Sequence, residues 1–127
     1  MIVVDASAVV AALVGDGHSR ATIDHQHLHT PHIVDAELAN ALRRLAHTGA
    51  ISAKQGWRAL ETWSAVAATR YPLLGLLARV WELRDNLSAY DGAYVALAEA
   101  LDCPLVTADA RISRAPGLRC CVIVVPR

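Results

Sequence analysis

At 127 residues the chain is expected to form one domain, spanning positions 1–127, that buries roughly 65–70% of its unfolded surface. Its 54% hydrophobic and 19% charged residues exclude the composition of a disordered chain, and no run reaches the ~20 apolar residues of a membrane helix. Twelve basic and twelve acidic side chains cancel, so any nucleic-acid binding must come from a local patch and not from a global field.

Met1 to Asp5 reads as a short buried strand, followed by an Ala-rich helix from Ala6 to Val14 that Gly15 ends. A His-rich stretch precedes a second short strand, Leu28 to Pro31. Ile33 to His47 predicts a helix with Leu38, Ala41, Leu42 and Leu45 on one face. Ser52 caps a third helix expected to run to about Ala68, Tyr71-Pro72 breaks it, and Leu73 to Arg84 predicts a fourth. Ser88-Ala89-Tyr90-Asp91 fits the S-x-x-D form of a capping box and opens a helix to Leu101. Pro104 stops that helix, and Leu105 to Thr107 and Cys120 to Val125 read as the last strands. Helices separating short apolar strands predict a three-layer α/β/α fold around a short parallel sheet.

The chain has only twelve acids, yet Asp5, Glu37, Asp91 and Asp109 each stand where an apolar segment ends or an apolar helix begins. In open parallel sheets ligands bind beyond the carboxyl ends of the strands, where Asp5 and Asp109 fall. Asp91 heads the row Tyr94, Val95, Ala98 and Leu101, and Glu37 heads the row Ala41 and Leu45. Singly, each has a plainer explanation. Asp91, Asp109 and Asp5 could cap helices, and Glu37 could face water. Together they make an oxygen-rich set suited to Mg2+ or Mn2+, ions that activate water and stabilise in-line displacement at phosphorus. That chemistry is phosphodiester hydrolysis.

Four segments, Ile2 to Ser7, Pro31 with Glu37 to Leu42, Asn86 to Asp91, and Pro104 to Asp109, make the chain resemble, over its whole length, a PIN-domain ribonuclease of the VapC toxin type. The resemblance implies a PIN-like fold and a metal-dependent endoribonuclease. Asp5, Glu37, Asp91 and Asp109 would be the catalytic metal ligands, with Ser7 and Thr107 beside them and Asn86 a less defined polar neighbour. It further implies an RNA substrate, a cognate VapB-type antitoxin that blocks the site, and a homodimer. Some relatives carry a further acid shortly after the fourth; here Arg111, Ile112 and Ser113 follow, which puts a second metal position in doubt.

Eleven of the twelve cations are Arg, which suits phosphate, and Arg43, Arg44, Arg84 and Arg111, with Arg79 and Arg114, are candidate RNA contacts. His25, His27, His29 and His32 match neither a paired helix motif nor a zinc finger and are expected to form a solvated rim. Trp57, Trp63, Tyr71 and Trp81 are expected in the third and fourth helices, as core or as a groove for an amphipathic partner. Cys103, Cys120 and Cys121 include no CxxC, and no signal peptide precedes the first strand, so a reducing cytoplasm is the expected setting. Two rivals remain. A covalent aspartyl phosphate on Asp5 would need a second acid nearby, where Ser7 stands, and a lysine close to it, whereas Lys54 is the sole one. The other is a PIN-like module that binds metal or protein without cutting.

Overall fold

The computed structural model describes residues 1–127. Five strands, β1 (Ile2–Val4), β2 (Leu28–Pro31), β3 (Ala68–Tyr71), β4 (Leu105–Thr107) and β5 (Val122–Val124), form one sheet in the order β3-β2-β1-β4-β5. Every pairing is parallel. Chain order runs outward from β1 to β3 on one side and then crosses to β4 on the other. The direction of winding therefore reverses between β1 and β4, and a crevice opens at their carboxyl ends.

The helices are α1 (Ala6–Val14), α2 (His18–Ile23), α3 (Val34–His47), α4 (Ala53–Ser64), α5 (Leu77–Glu82), α6 (Ala89–Leu101) and α7 (Ala110–Ser113). α1 packs against α2, α3 and α4, while α6 lies against β1, β2 and β4 with α5 on it. The core draws Val3, Val4, Leu38, Leu105 and Val106 from both layers and the sheet. α6 is buried continuously from Gly92 to Ala98, which its Ala, Gly and Val residues allow by presenting little bulk on any side. No helix is long and apolar enough to cross a membrane.

Four expectations need correction. The third helix ends at Ser64, not near Ala68, because Ala68–Tyr71 pairs with β2 as an edge strand. Alanine-rich sequence kept the helical pattern alive where cross-strand pairing decides the outcome. In place of one helix from Leu73 to Arg84 there is a 3-10 turn, Leu74–Leu76, and then the short α5. The His-rich stretch contains α2, and the last strand is confined to Val122–Val124. The aromatic residues also divide. Trp63 is core, Tyr71 is on β3, and Trp57 and Trp81 are exposed.

Candidate active site

Asp5 directly follows β1 and caps α1, its Oδ1 accepting from the Ala8 amide at 2.9 Å. One atom is thereby tied to the helix it starts. The β1–β4 register places Val4 beside Val106, so the next pair, Asp5 and Thr107, falls side by side. Thr107 donates its hydroxyl to Asp5 Oδ2, and Ser7 donates to Oδ1 at 2.7 Å. The two hydroxyls lie 3.2 Å apart. Ser7 Oγ accepts from the Ala108 amide at 2.9 Å, and Thr107 Oγ1 from the Asp109 amide at 3.0 Å. The carboxylate is thus held from three directions, and the same bonds carry the chain from β4 to Asp109. Both Asp5 and Thr107 are buried.

Glu37 stands in the first turn of α3, half-buried, and Tyr94 of α6 donates its hydroxyl to Glu37 Oε1 at 2.6 Å. Only Oε2 is left free. Asp91 occupies the third position of α6, where Ser88 Oγ accepts from its amide at 3.2 Å. The return bond of a capping box does not form, so the plain cap explanation covers the Asp91 backbone and leaves its carboxylate unused. Asp109 caps α7 through the Arg111 amide at 2.9 Å, and Arg111 grips its carboxylate with Nε at 3.0 Å and Nη2 at 2.6 Å.

Electrostatics ties the four acids into one neighbourhood. Burial raises the Asp5 carboxyl against its three hydrogen bonds, with the Asp91 charge adding to the rise. Burial likewise raises Glu37, helped by Asp91 and Asp5, and raises Asp91, helped by Asp109. Asp109 is held low, first by its bonds to Arg111. The buried Tyr94 phenol is pushed well above its ordinary value, first by burial and then by Glu37, so it remains a donor. Three carboxyls that ionise reluctantly, because one is buried, two are half-buried and their charges act on one another, offer hard oxygens of the kind that suit Mg2+ or Mn2+. No three of these side chains make a ready-made coordination set; Tyr94 holds Glu37, and Arg111 holds Asp109.

Other expected residues fall differently. Asn86 is exposed and its side chain bonds to none of the acids. Arg43 donates to Asn40 at 3.1 Å, and Arg84 donates to the Trp81 carbonyl at 2.9 Å and stacks on that ring at 4.7 Å. Arg79 is taken up by Glu99, Glu82 and the Gly117 carbonyl. Arg44 and Arg114 make no such bond, and of the two Arg44 lines a trough beside Ser7. His29 Nδ1 lies 2.7 Å from the Tyr71 hydroxyl. Sequence reading missed Tyr94 as a partner of Glu37. Its place three residues after Asp91, on the same helical face, was the available signal.

The family model for the PIN domain matches residues 2–118. The chain belongs to the PIN-domain family. It is 58% identical to ribonuclease VapC9 of Mycobacterium tuberculosis over 127 residues, covering all of both chains. The crystal structure of PAE2754 from Pyrobaculum aerophilum matches with TM-score 0.72 at 27% identity, over 95% of this chain and 81% of that one. VapBC2 from Rickettsia felis, crystallised with a DNA fragment from its promoter, shares the fold at TM-score 0.72 and 16% identity, over 98% and 99%. The winding reversal between β1 and β4 puts the acids that follow these two strands, Asp5 and Asp109, at the same edge of the sheet.

Proposed function

We propose that residues 1–127 act as one PIN domain that hydrolyses RNA phosphodiester bonds as a VapC-type toxin. The observation that carries this reading is the trio Asp5, Glu37 and Asp91. Asp5 is buried and the other two are half-buried, they repel one another, and no basic side chain is bonded to any of them. Asp5, Asp91 and Asp109 are the principal metal ligands, with Glu37 bound directly or through water. A bound Mg2+ or Mn2+ would neutralise the cluster and supply the electrophilic help that phosphodiester hydrolysis needs.

The chain's own groups do the rest. Thr107 and Ser7 fix both oxygens of Asp5 so that its orientation is set before an ion arrives. Tyr94 holds Glu37 Oε1 and leaves Oε2 to take the proton of the attacking water, a role that a raised carboxyl pKa favours. Arg111 must release Asp109 for that acid to serve, and the arginine is then free for substrate phosphate. The relation to VapC proteins supports a cytoplasmic toxin held silent by a VapB-type antitoxin. Leu74, Leu77 and Trp81, exposed around the 3-10 turn and α5, supply apolar surface for a homodimer.

The pairing of Asp109 with Arg111 favours the rival reading, a PIN-like module that binds without cutting. Incubating the purified protein with total RNA separates the two. Cutting in Mg2+ that EDTA abolishes supports the nuclease, and intact RNA in Mg2+ and in Mn2+ supports the module. Sedimentation of the same sample reads the dimer.

A further inference from the structure

Two helical faces lead away from the acids. On α1, Ser7, Val10, Ala11 and Val14 recur at the spacing of one face, and on α3 Ala41, Arg44, Leu45 and Thr48 continue the face that Glu37 begins. Both helices start at the acid edge of the sheet and pack side by side, so one wall begins at the hydroxyl that holds Asp5 and the other at Glu37. Between them lies an open trough of about 570 Å3, lined by Val10, Val14 and Leu45 among its apolar residues and by Ser7 and Ala108 where it nears Asp5. That size falls within the roughly 300–1,000 Å3 typical of small-ligand sites.

Both of its charged side chains are positive. Arg44 has no hydrogen-bond or ion-pair partner, and Arg127 reaches in with only the Ala108 carbonyl to accept from its Nε at 3.3 Å. A polyanion approaching four carboxylates is repelled, and unpaired guanidiniums beside the cluster offset that repulsion while gripping phosphate in bidentate fashion. The apolar lining offers what a base face prefers over water. A larger hollow, about 680 Å3 around Trp63 and Leu28, lies at the opposite end of the strands and contains Asp24 as well as Arg20, so it has neither the position nor the charge for this role.

We propose that the α1–α3 trough holds the nucleotide adjoining the scissile phosphate, with Arg44 and Arg127 on the RNA backbone and Val10, Val14 and Leu45 against the base. The inference rests on the RNA-cleaving reading, and binding is therefore measured apart from cutting. Fluorescence anisotropy of a labelled random 12-nucleotide single-stranded RNA, in EDTA and across a salt series, gives the affinity and its salt slope. Arg44→Ala and Arg127→Ala should each weaken binding about fivefold and lower the slope by about 0.7. Ala41→Leu, which fills the trough without changing charge, should weaken binding with the slope unchanged, in a protein whose melting temperature matches wild type. Arg119→Ala, before β5 at the other end of the strands, should leave both quantities alone and controls for net charge.

Equal effects of Arg44→Ala and Arg119→Ala, or RNA binding indifferent to Ala41→Leu, overturn the proposal. So does a trough whose filling spares RNA but expels an amphipathic antitoxin segment, since it is then a protein dock. RNA held in the trough but never cut in Mg2+ sinks the nuclease reading and leaves the subsite standing.

Discussion

This protein handles carboxylates in two opposite ways. Away from the site, Asp35 accepts from Arg70 at 2.7 and 2.9 Å and from the Trp63 indole at 2.7 Å, and Glu99 accepts from Arg79 at 2.7 and 3.1 Å and from the Arg119 amide at 2.8 Å. Asp35 is held low, first by the Arg70 bonds; at Glu99 burial pushes upward and Arg79 outweighs it. At the carboxyl edge Asp5 and Glu37 accept from hydroxyls, none of Asp5, Glu37 and Asp91 is bonded to a guanidinium, and all three are raised. A fold able to pair its acids has left three unpaired in one place. Charge held away from water without a partner is destabilising unless something neutralises it, and that is the part the proposed cation would play at this edge.

The largest effect expected from breaking the comparison is on activity. Asp5→Asn keeps a helix cap and nearly the same shape, yet should cost several kcal/mol of transition-state stabilisation, about a thousandfold in RNA cleavage, with the metal-free fold as stable as wild type or more so. A variant that cuts normally removes Asp5 from the site. The mirror experiment is Glu99→Ala, which removes the less exposed of the two carboxylates on Arg79, a side chain 18% exposed, and the acceptor of the Arg119 amide. It should lose about 2–3 kcal/mol in denaturant unfolding with RNA cleavage at permissive temperature unchanged. Unchanged stability there would mean that the pairing is ornamental.

Next in size is Tyr94→Phe. Losing the hydroxyl that orients Glu37 should reduce metal-dependent cleavage by about 10–100-fold and leave RNA affinity in EDTA untouched. A merely structural role would instead show as a lower melting temperature with normal turnover.

The smallest effect is on pH dependence, where the two regions have opposite signs. Asp5, Glu37 and Asp91 hold protons in the folded state that the unfolded chain has already released. Metal-free stability should therefore fall as pH rises from the ordinary carboxylate range to their raised values, then level off. Asp35 and Glu99 are depressed. Their contribution is full above the ordinary range and disappears as pH falls below it. Melting curves of Asp5→Asn/Asp91→Asn should lose part of the alkaline decline and keep the acid one; loss of both limbs, or of neither, would contradict the assignment.

These two regions were also unequally legible. The four acids stood out because each sits at the junction of an apolar strand or helix face, a local pattern, whereas Thr107 entered only through the family resemblance and it is the β1–β4 register that sets it beside Asp5. Asp35 joins Arg70 across 35 positions and Trp63 across 28, and no periodicity links them. Running the third helix on to about Ala68 and reading Tyr71-Pro72 only as a break hid the strand that carries Arg70, because an edge strand with half-exposed side chains owes its form to pairing with β2. Tyr94 was seen as a member of an apolar row. Its hydroxyl partner comes from a helix 57 positions away.

Thermal unfolding of the metal-free protein at pH 7 against rising Mg2+ tests the cation account most directly. A ligand that binds only the folded state at a hundred times its Kd adds about 2.7 kcal/mol. Wild type should gain melting temperature in step with Mg2+, and Asp5→Asn/Asp91→Asn should gain almost nothing. Equal gains in both proteins, or none in wild type with Mg2+ or Mn2+, would show that the acid edge holds no ion.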